Sequence, residues 1–241
     1  AGPFCGVLLA DLGAEVVKIE RPGSGDPARY QGTALDGKSG YFATNNRNKR
    51  SVTLDLKSEA GREAAQSLLE TADVFVENFG YGVVERLGLG YDELVKDNPE
   101  LVHASIKGYG ETGPQREKRG LDMILQGEAG LMSVTGPEDG EPVKVGQAIG
   151  DLTTGAFAAL GVLARLFVSS GRYHRRQIGL VAVAASFPTV ATGVRILGVG
   201  PVPGFDFSPY AFVVESVVLF WALFGFDLLD LPPVGRAALF E

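Results

Sequence analysis

The chain has 241 residues, enough for one large domain or two small ones. Hydrophobic residues make up 45% and charged residues 21%, so an ordered core is expected, and a net charge of −7 excludes a general nucleic-acid binder. The single cysteine, Cys5, excludes an intrachain disulfide and points to a reducing, cytoplasmic compartment, while His103 and His174 stand too far apart, with no Cys or His at ligand spacing, to make a metal site.

The opening residues lack the basic stretch of a signal peptide and a starting methionine, and read as the inside of a longer chain. Residues 4–12 have the apolar spacing of a short helix stopped by Gly13, with Cys5 packed rather than reactive. Residues 15–20, E-V-V-K-I-E, form a strand, and R-P-G-S-G-D-P after it is a loop. Gly23 and Gly25 follow that strand without the third glycine or the helix that a dinucleotide fingerprint requires. A strand is expected over 51–56, with Val52, Leu54 and Leu56 on one face, then a helix to residue 69 capped by Ser58. Residues 73–77, D-V-F-V-E, are the next strand; short helices near 83–87 and 92–96 and a strand over 101–106 follow. A helix is predicted from Asp122 towards Val134, and a buried one over 152–168, where Ala156, Ala158, Ala159 and Gly161 allow close packing.

Strands alternating with helices at this spacing indicate βαβ units and a parallel sheet with helices on both faces, an α/β fold. Ligands of such sheets collect beyond the carboxyl ends of the strands. The residues at those ends are Glu20 and Arg21, Leu56 and Lys57, Asn78 and Phe79, and Lys107, a rim of three cations and an amide that suits a phosphate-bearing ligand. Arg116, Lys118 and Arg119 add cations in the loop 108–120.

In G-Q-A-I-G-D-L-T-T-G, residues 146–155, one carboxylate stands where a glycine-broken loop becomes an apolar helix. Asp151 is ionised at neutral pH and would need no general base to act as a nucleophile. Aspartate is equally a preferred helix N-cap, and local sequence alone favours that role.

Beyond Gly171 the character changes. Y-H-R-R-Q is a basic break, 178–202 is rich in Val, Ala and Gly, and 201–209 is a linker. Residues 210–231 are very apolar, but Glu215, Asp227 and Asp230 leave an uncharged run of only 11 residues. A spanning helix needs about 20, so a core or partner-facing helix is expected and no membrane span.

Taken together, A-G-P-F-C, L-G-A-E-V-V-K-I-E-R-P-G-S-G-D, N-R-N-K-R-S-V-T-L-D-L-K, A-D-V-F-V-E-N-F, E-R-L-G-L-G-Y and G-Q-A-I-G-D-L-T-T-G resemble the family III CoA-transferases, in one order, over residues 1 to about 172. The resemblance implies an open parallel Rossmann-like sheet, here lacking the family's first strand and its second domain. It divides the chain into a core over 1–172 and a divergent, mostly helical or poorly ordered apolar tail over 173–241. It places the family's nucleophile on Asp151 and CoA contacts on Arg21, on the stretch from Leu54 to Lys57, on Asn78, Phe79 and Gly80, on Arg86 and on Arg119. Several of these are the rim residues found from topology, which turns the reading of Asp151 from cap to nucleophile.

The chemistry implied moves CoA from an acyl-CoA thioester to an acceptor carboxylate through an aspartyl anhydride and an aspartyl-CoA thioester. Acyl-CoA and a carboxylic acid are then the substrates, with no tightly bound cofactor. Backbone amides near Gly150 or Gly136 are candidate oxyanion donors. The related α-methylacyl-CoA racemases pair the aspartate with a histidine in a G-H-D block; here that block is Gly120-Leu121-Asp122, and leucine exchanges no proton. Asp122 is left to orient ligand or to cap its own helix. A non-catalytic CoA-binding remnant is the remaining alternative. Family members form interlocked homodimers of ring-like chains, and this chain is too short to close the ring.

Overall fold

The computed structural model describes residues 1–169 and 236–240, and side-chain statements below concern those residues. The expected strand-and-helix alternation forms. Helix α1 (Gly2–Asp11) begins with a proline in its first turn, where the missing amide hydrogen costs no bond, and leads into β1 (Glu15–Glu20). A small antiparallel hairpin, β2 (Ala34–Leu35) and β3 (Lys38–Ser39), precedes α2 (Gly40–Asn46) and β4 (Lys49–Thr53). Helix α3 (Glu59–Glu70) is capped as predicted, the Ser58 hydroxyl accepting from the Gly61 amide. Strand β5 (Val74–Glu77), helices α4 (Val83–Arg86) and α5 (Tyr91–Asp97), and β6 (Val102–Ser105) follow.

Among the described residues the main sheet has five strands in the order β4-β1-β7-β5-β6, every neighbouring pair parallel. Its central strand is β7 (Arg236–Phe240), pairing Val16 to Ala237 on one side and Val74 to Ala237 on the other. These five residues fall in the stretch expected to be an apolar tail. They fill the slot between β1 and β5, in a sheet expected to lack its first strand, with Ala238 and Leu239 buried. Contact packing groups Ala1–Leu163 with Pro233–Glu241 as one unit and Ala164–Pro232 as another. The basic break at 173–177, His174, the linker at 201–209 and the apolar run at 210–231 lie outside the described residues.

Period-two alternation sends strand side chains to two covered faces. On one, Ile19, Phe75 and Ala238 pack with Ala65 and Leu69 of α3, Val84 of α4 and Leu94 of α5. On the other lies α1, so close that a Cβ on Gly6 would stand 3.1 Å from the Leu239 side chain. Cys5 is fully buried, and that burial pushes its thiol up to about 11, as befits a packed group. Glu20 and Lys18, also buried, are paired with Arg29 and Asp26, and the Arg29 guanidinium holds the Glu20 carboxyl down to about 2.

Three expected elements are corrected. Strand β4 stops at Thr53 rather than residue 56, because the chain turns at Asp55 to enter α3, and Leu54 and Leu56 pack against the core from outside the ladder. Helix α6 (Asp122–Glu128) ends short of Val134: Gly130 takes φ +78, a left-handed conformation that stops an α-helix, and Leu131–Val134 is a separate 3₁₀ turn. Helix α7 (Ile149–Ser169) starts earlier than predicted and is buried along one stripe only, through Ala159 and Val162, while Phe157 is 72% exposed. Its close packing uses Gly155, where a Cβ would stand 2.7 Å from the Ala1 carbonyl oxygen, and not Gly161, which has open space. Apolar composition fixed that helix but not which of its faces is covered; by length and composition alone, residues 149–168 could also cross a membrane.

His103 on β6 stacks on Phe75 with ring centroids 4.7 Å apart, and its Nε2 has no hydrogen-bond partner among the described residues. Burial pushes its imidazole below the usual histidine range. The unfolded chain therefore takes up a proton that the folded one resists. Stability from this group is complete above about pH 6.5 and is lost as pH falls towards the lower folded value. His103→Phe is expected to flatten the fall in Tm between pH 7 and pH 5, followed by circular dichroism; an unchanged slope would contradict this account.

Candidate active site

Parallel pairing puts the carboxyl ends of all five strands on one edge, and the chain's exposed and buried functional groups gather there. A cleft of about 730 Å³ opens beside the β5 and β6 ends. Its walls include Asn78 after β5, Lys107 after β6, Gln126 of α6, and Gly150 and Asp151 at the start of α7, with Ala1 at the start of α1.

The β5 end is built on a buried carboxylate. Glu77 is fully buried, and both its oxygens accept from the Lys107 ammonium, at 2.5 and 2.7 Å; one also accepts from the Phe79 amide at 2.8 Å. A buried charge is tolerable only when paired in this way. Asn78 spans the neighbouring segments, its Oδ1 accepting from the Gly2 amide and its Nδ2 donating to the Ile106 carbonyl. At the far wall Tyr109 donates to Glu128, which also pairs with Lys118; these partners hold the Glu128 carboxyl below its usual range.

Asp151 stands in the first turn of α7 with its side chain 44% exposed in the cleft, 3.5 Å from the Ala1 nitrogen. Its own carboxylate caps nothing. The amides of Gly150 and Asp151 donate instead to Oδ1 of Asp122, at 2.8 and 3.2 Å, and Oδ2 of Asp122 accepts from Gln126 at 2.6 Å. Asp122 thus caps α7, not its own helix α6, and is not among the residues lining the cleft. The Gly150 amide expected as an oxyanion donor is taken by Asp122, and Gly136 does not line the cleft.

The other sequence-selected residues lie outside the cleft walls. Arg21 directly follows β1 and is exposed, its Nε donating to the Gly25 carbonyl. Leu54 follows β4, its amide bonded to the Glu20 carbonyl, and Lys57 is exposed at the turn into α3. Phe79 is part of the core edge, Gly80 accepts from Val83 at the start of α4, and Arg86 ends that helix exposed. Arg119 is exposed just before α6. Of the three rim cations, Arg21 and Lys57 face solvent while Lys107 is buried against Glu77. Gln126 was missed by sequence reasoning; its spacing of four from Asp122 on one helix was the available signal.

Residues 1–193 match the model of CoA-transferase family III. The chain is 46% identical over 167 residues to a succinyl-CoA:glutarate CoA-transferase of Mus musculus, covering 69% of this chain and 38% of that protein. It is 43% identical over 187 residues to a succinyl-CoA:mesaconate CoA-transferase of Haloarcula hispanica, covering 74% and 46%. Among solved structures it is similar to a CAIB/BAIF family protein from Brucella suis, with a TM-score of 0.66 and 42% identity over 70% of this chain and 46% of that one. The chain therefore spans less than half the length of these relatives.

Glu77→Gln leaves the buried Lys107 ammonium with only the half-exposed Glu111 carboxylate, 3.7 Å away, as a counter-charge. A loss of about 3 kcal/mol of stability is expected by urea unfolding, the size of effect seen when one member of a buried pair is removed. A loss below about 1 kcal/mol, the range of a surface pair, would contradict the assignment.

Proposed function

Because the chain belongs to CoA-transferase family III, we propose that it carries the acyl-CoA-binding half of a CoA-transferase, with Asp151 as the covalent carrier. The observation that supports this best is a carboxylate in a cleft, next to the ligand-collecting edge of a parallel sheet, with its helix-capping duty taken by another residue. The names of the relatives, which pair succinyl-CoA with glutarate or mesaconate, favour a dicarboxylic acid as acceptor.

The reaction balances without a cofactor. An Asp151 oxygen attacks the thioester carbon, the C–S bond breaks, and CoA thiolate leaves an aspartyl–acyl anhydride. The thiolate then attacks the Asp151 carbonyl of the anhydride, expelling the donor as a carboxylate and forming an aspartyl-CoA thioester. The acceptor carboxylate attacks that thioester; the released thiolate takes the acceptor's acyl carbon and frees Asp151. Arg21, Lys57, Arg86 and Arg119 are the residues proposed to meet the CoA phosphates, as exposed cations. Asn78, Phe79 and Gly80 offer polar and apolar contacts to the arm that leads to the thioester.

A racemase is disfavoured because the block that carries its histidine reads Gly120-Leu121-Asp122 here, and leucine exchanges no proton. The coverage of less than half of each relative keeps a second reading in play, a CoA-binding piece that needs the remainder of the fold for turnover. Incubation with succinyl-CoA followed by hydroxylamine is expected to leave a hydroxamate on Asp151, found by peptide mass spectrometry and absent in Asp151→Asn. CoA binding with no hydroxamate would favour the second reading, and neither binding nor label would end both.

A further inference from the structure

Helix α7 begins at the nucleophile's own turn, and the first amides of any α-helix have no partner within it. An aspartate at the third residue of that helix can turn its side chain back onto these amides, as the acid of a capping box does. If Asp151 did so, its oxygens would fold back on the helix and leave the cleft. The structure prevents this from a distance of 28 residues: Asp122 reaches from the first turn of α6 and takes both the Gly150 and the Asp151 amides on one oxygen.

That reach is itself held in place. The second Asp122 oxygen accepts from Gln126 Nε2 at 2.6 Å, one turn along α6. Gln126 is 2% exposed, and its Oε1 accepts from the Val145 amide at 2.9 Å, tying down the segment that enters α7. A Cβ on residue 150 would stand 2.9 Å from Asp122 Oδ1, so a side chain there would push the carboxylate from this position.

We propose that Asp122, braced by Gln126, is a positioning residue that keeps the Asp151 carboxylate out of the capping role and directed into the cleft. The meaning of this for catalysis rests on the proposed role of Asp151; the geometric claim does not. Asp122 acts on the nucleophile's orientation and touches no substrate. A misplacement of about 1 Å at a reacting group is enough to cost roughly 10²-fold in rate.

The test reads the free carboxylate directly, without turnover. Wild type and variants are treated with a water-soluble carbodiimide and an amine. Labelling of Asp151 is then measured by peptide mass spectrometry against the exposed Asp139. In Asp122→Ala, Asp151 is expected to become the cap, and its relative labelling to fall about fivefold, the equilibrium factor of an ordinary side-chain cap.

Asp122→Asn combined with Gln126→Glu is expected to restore it. The new amide still accepts from Gly150 and Asp151, its NH₂ donates to the new carboxylate, and that carboxylate accepts from Val145. Asp122→Asn alone sets two NH₂ groups against each other and should fall between. Unchanged labelling in Asp122→Ala, or a double variant as poorly labelled as Asp122→Ala, overturns the proposal.

Should Asp122→Ala fail to fold, amide exchange in the wild-type chain decides. Gly150 and Asp151 are expected to exchange more slowly than the amides of the exposed residues Glu138, Asp139 and Glu141, and equal rates overturn the proposal. If labelling follows the expected pattern while acyl-CoA leaves no group on Asp151, the positioning role stands and the transferase reading falls.

Discussion

Strands that hydrogen-bond in a single direction end together, and this constraint organises the molecule. Each parallel pair sends its loop residues to the same edge, so that Arg21, Leu54, Asn78 and Lys107, far apart in the chain, share one border of the sheet. The border is not a row of free cations. Lys107 is neutralised by Glu77, and Lys18 and Glu20 are held by Asp26 and Arg29 below it. Of the cations selected from the sequence, Arg21, Lys57, Arg86 and Arg119 are exposed. A chain of net charge −7 can thus still present a local site for an anion.

The candidate nucleophile depends on a division of labour between two aspartates. One satisfies the start of a helix, the other is left with its oxygens in a cleft. Each looks like a cap when read in its own sequence window, since both stand at a helix start. Only the long-range hydrogen bonds assign the tasks, and they assign the α7 cap to the residue that belongs to α6.

Much of the fold was legible because it rests on local rules. Alternating apolar residues located β1, β5 and β6, and Ser58 announced α3. Asp151 was legible as a carboxylate at a loop-to-helix join, and the carrier role proposed for it comes only from the family's block. What escaped was non-local. R-A-A-L-F carries no mark that it will sit between β1 and β5, because a central strand and an apolar tail have the same composition. The bare face of α7 escaped for a related reason: composition reports how apolar a helix is, not how many neighbours it has. The reach of Asp122 depends on how α6 and α7 are placed by everything between them, which no window of sequence contains.

The central claim, that Asp151 is a temporary covalent carrier, is tested most directly by oxygen transfer. The chain is incubated with succinyl-CoA and glutarate whose carboxylates carry ¹⁸O, and the peptide containing Asp151 is weighed. Attack of the acceptor on an aspartyl-CoA thioester, followed by return of the thiolate, must leave one acceptor oxygen on the aspartate. One ¹⁸O in Asp151 after a single turnover, rising towards two over many turnovers, is the predicted result. Glutaryl-CoA formed with Asp151 unlabelled, or no transfer of label or of CoA, would contradict the account.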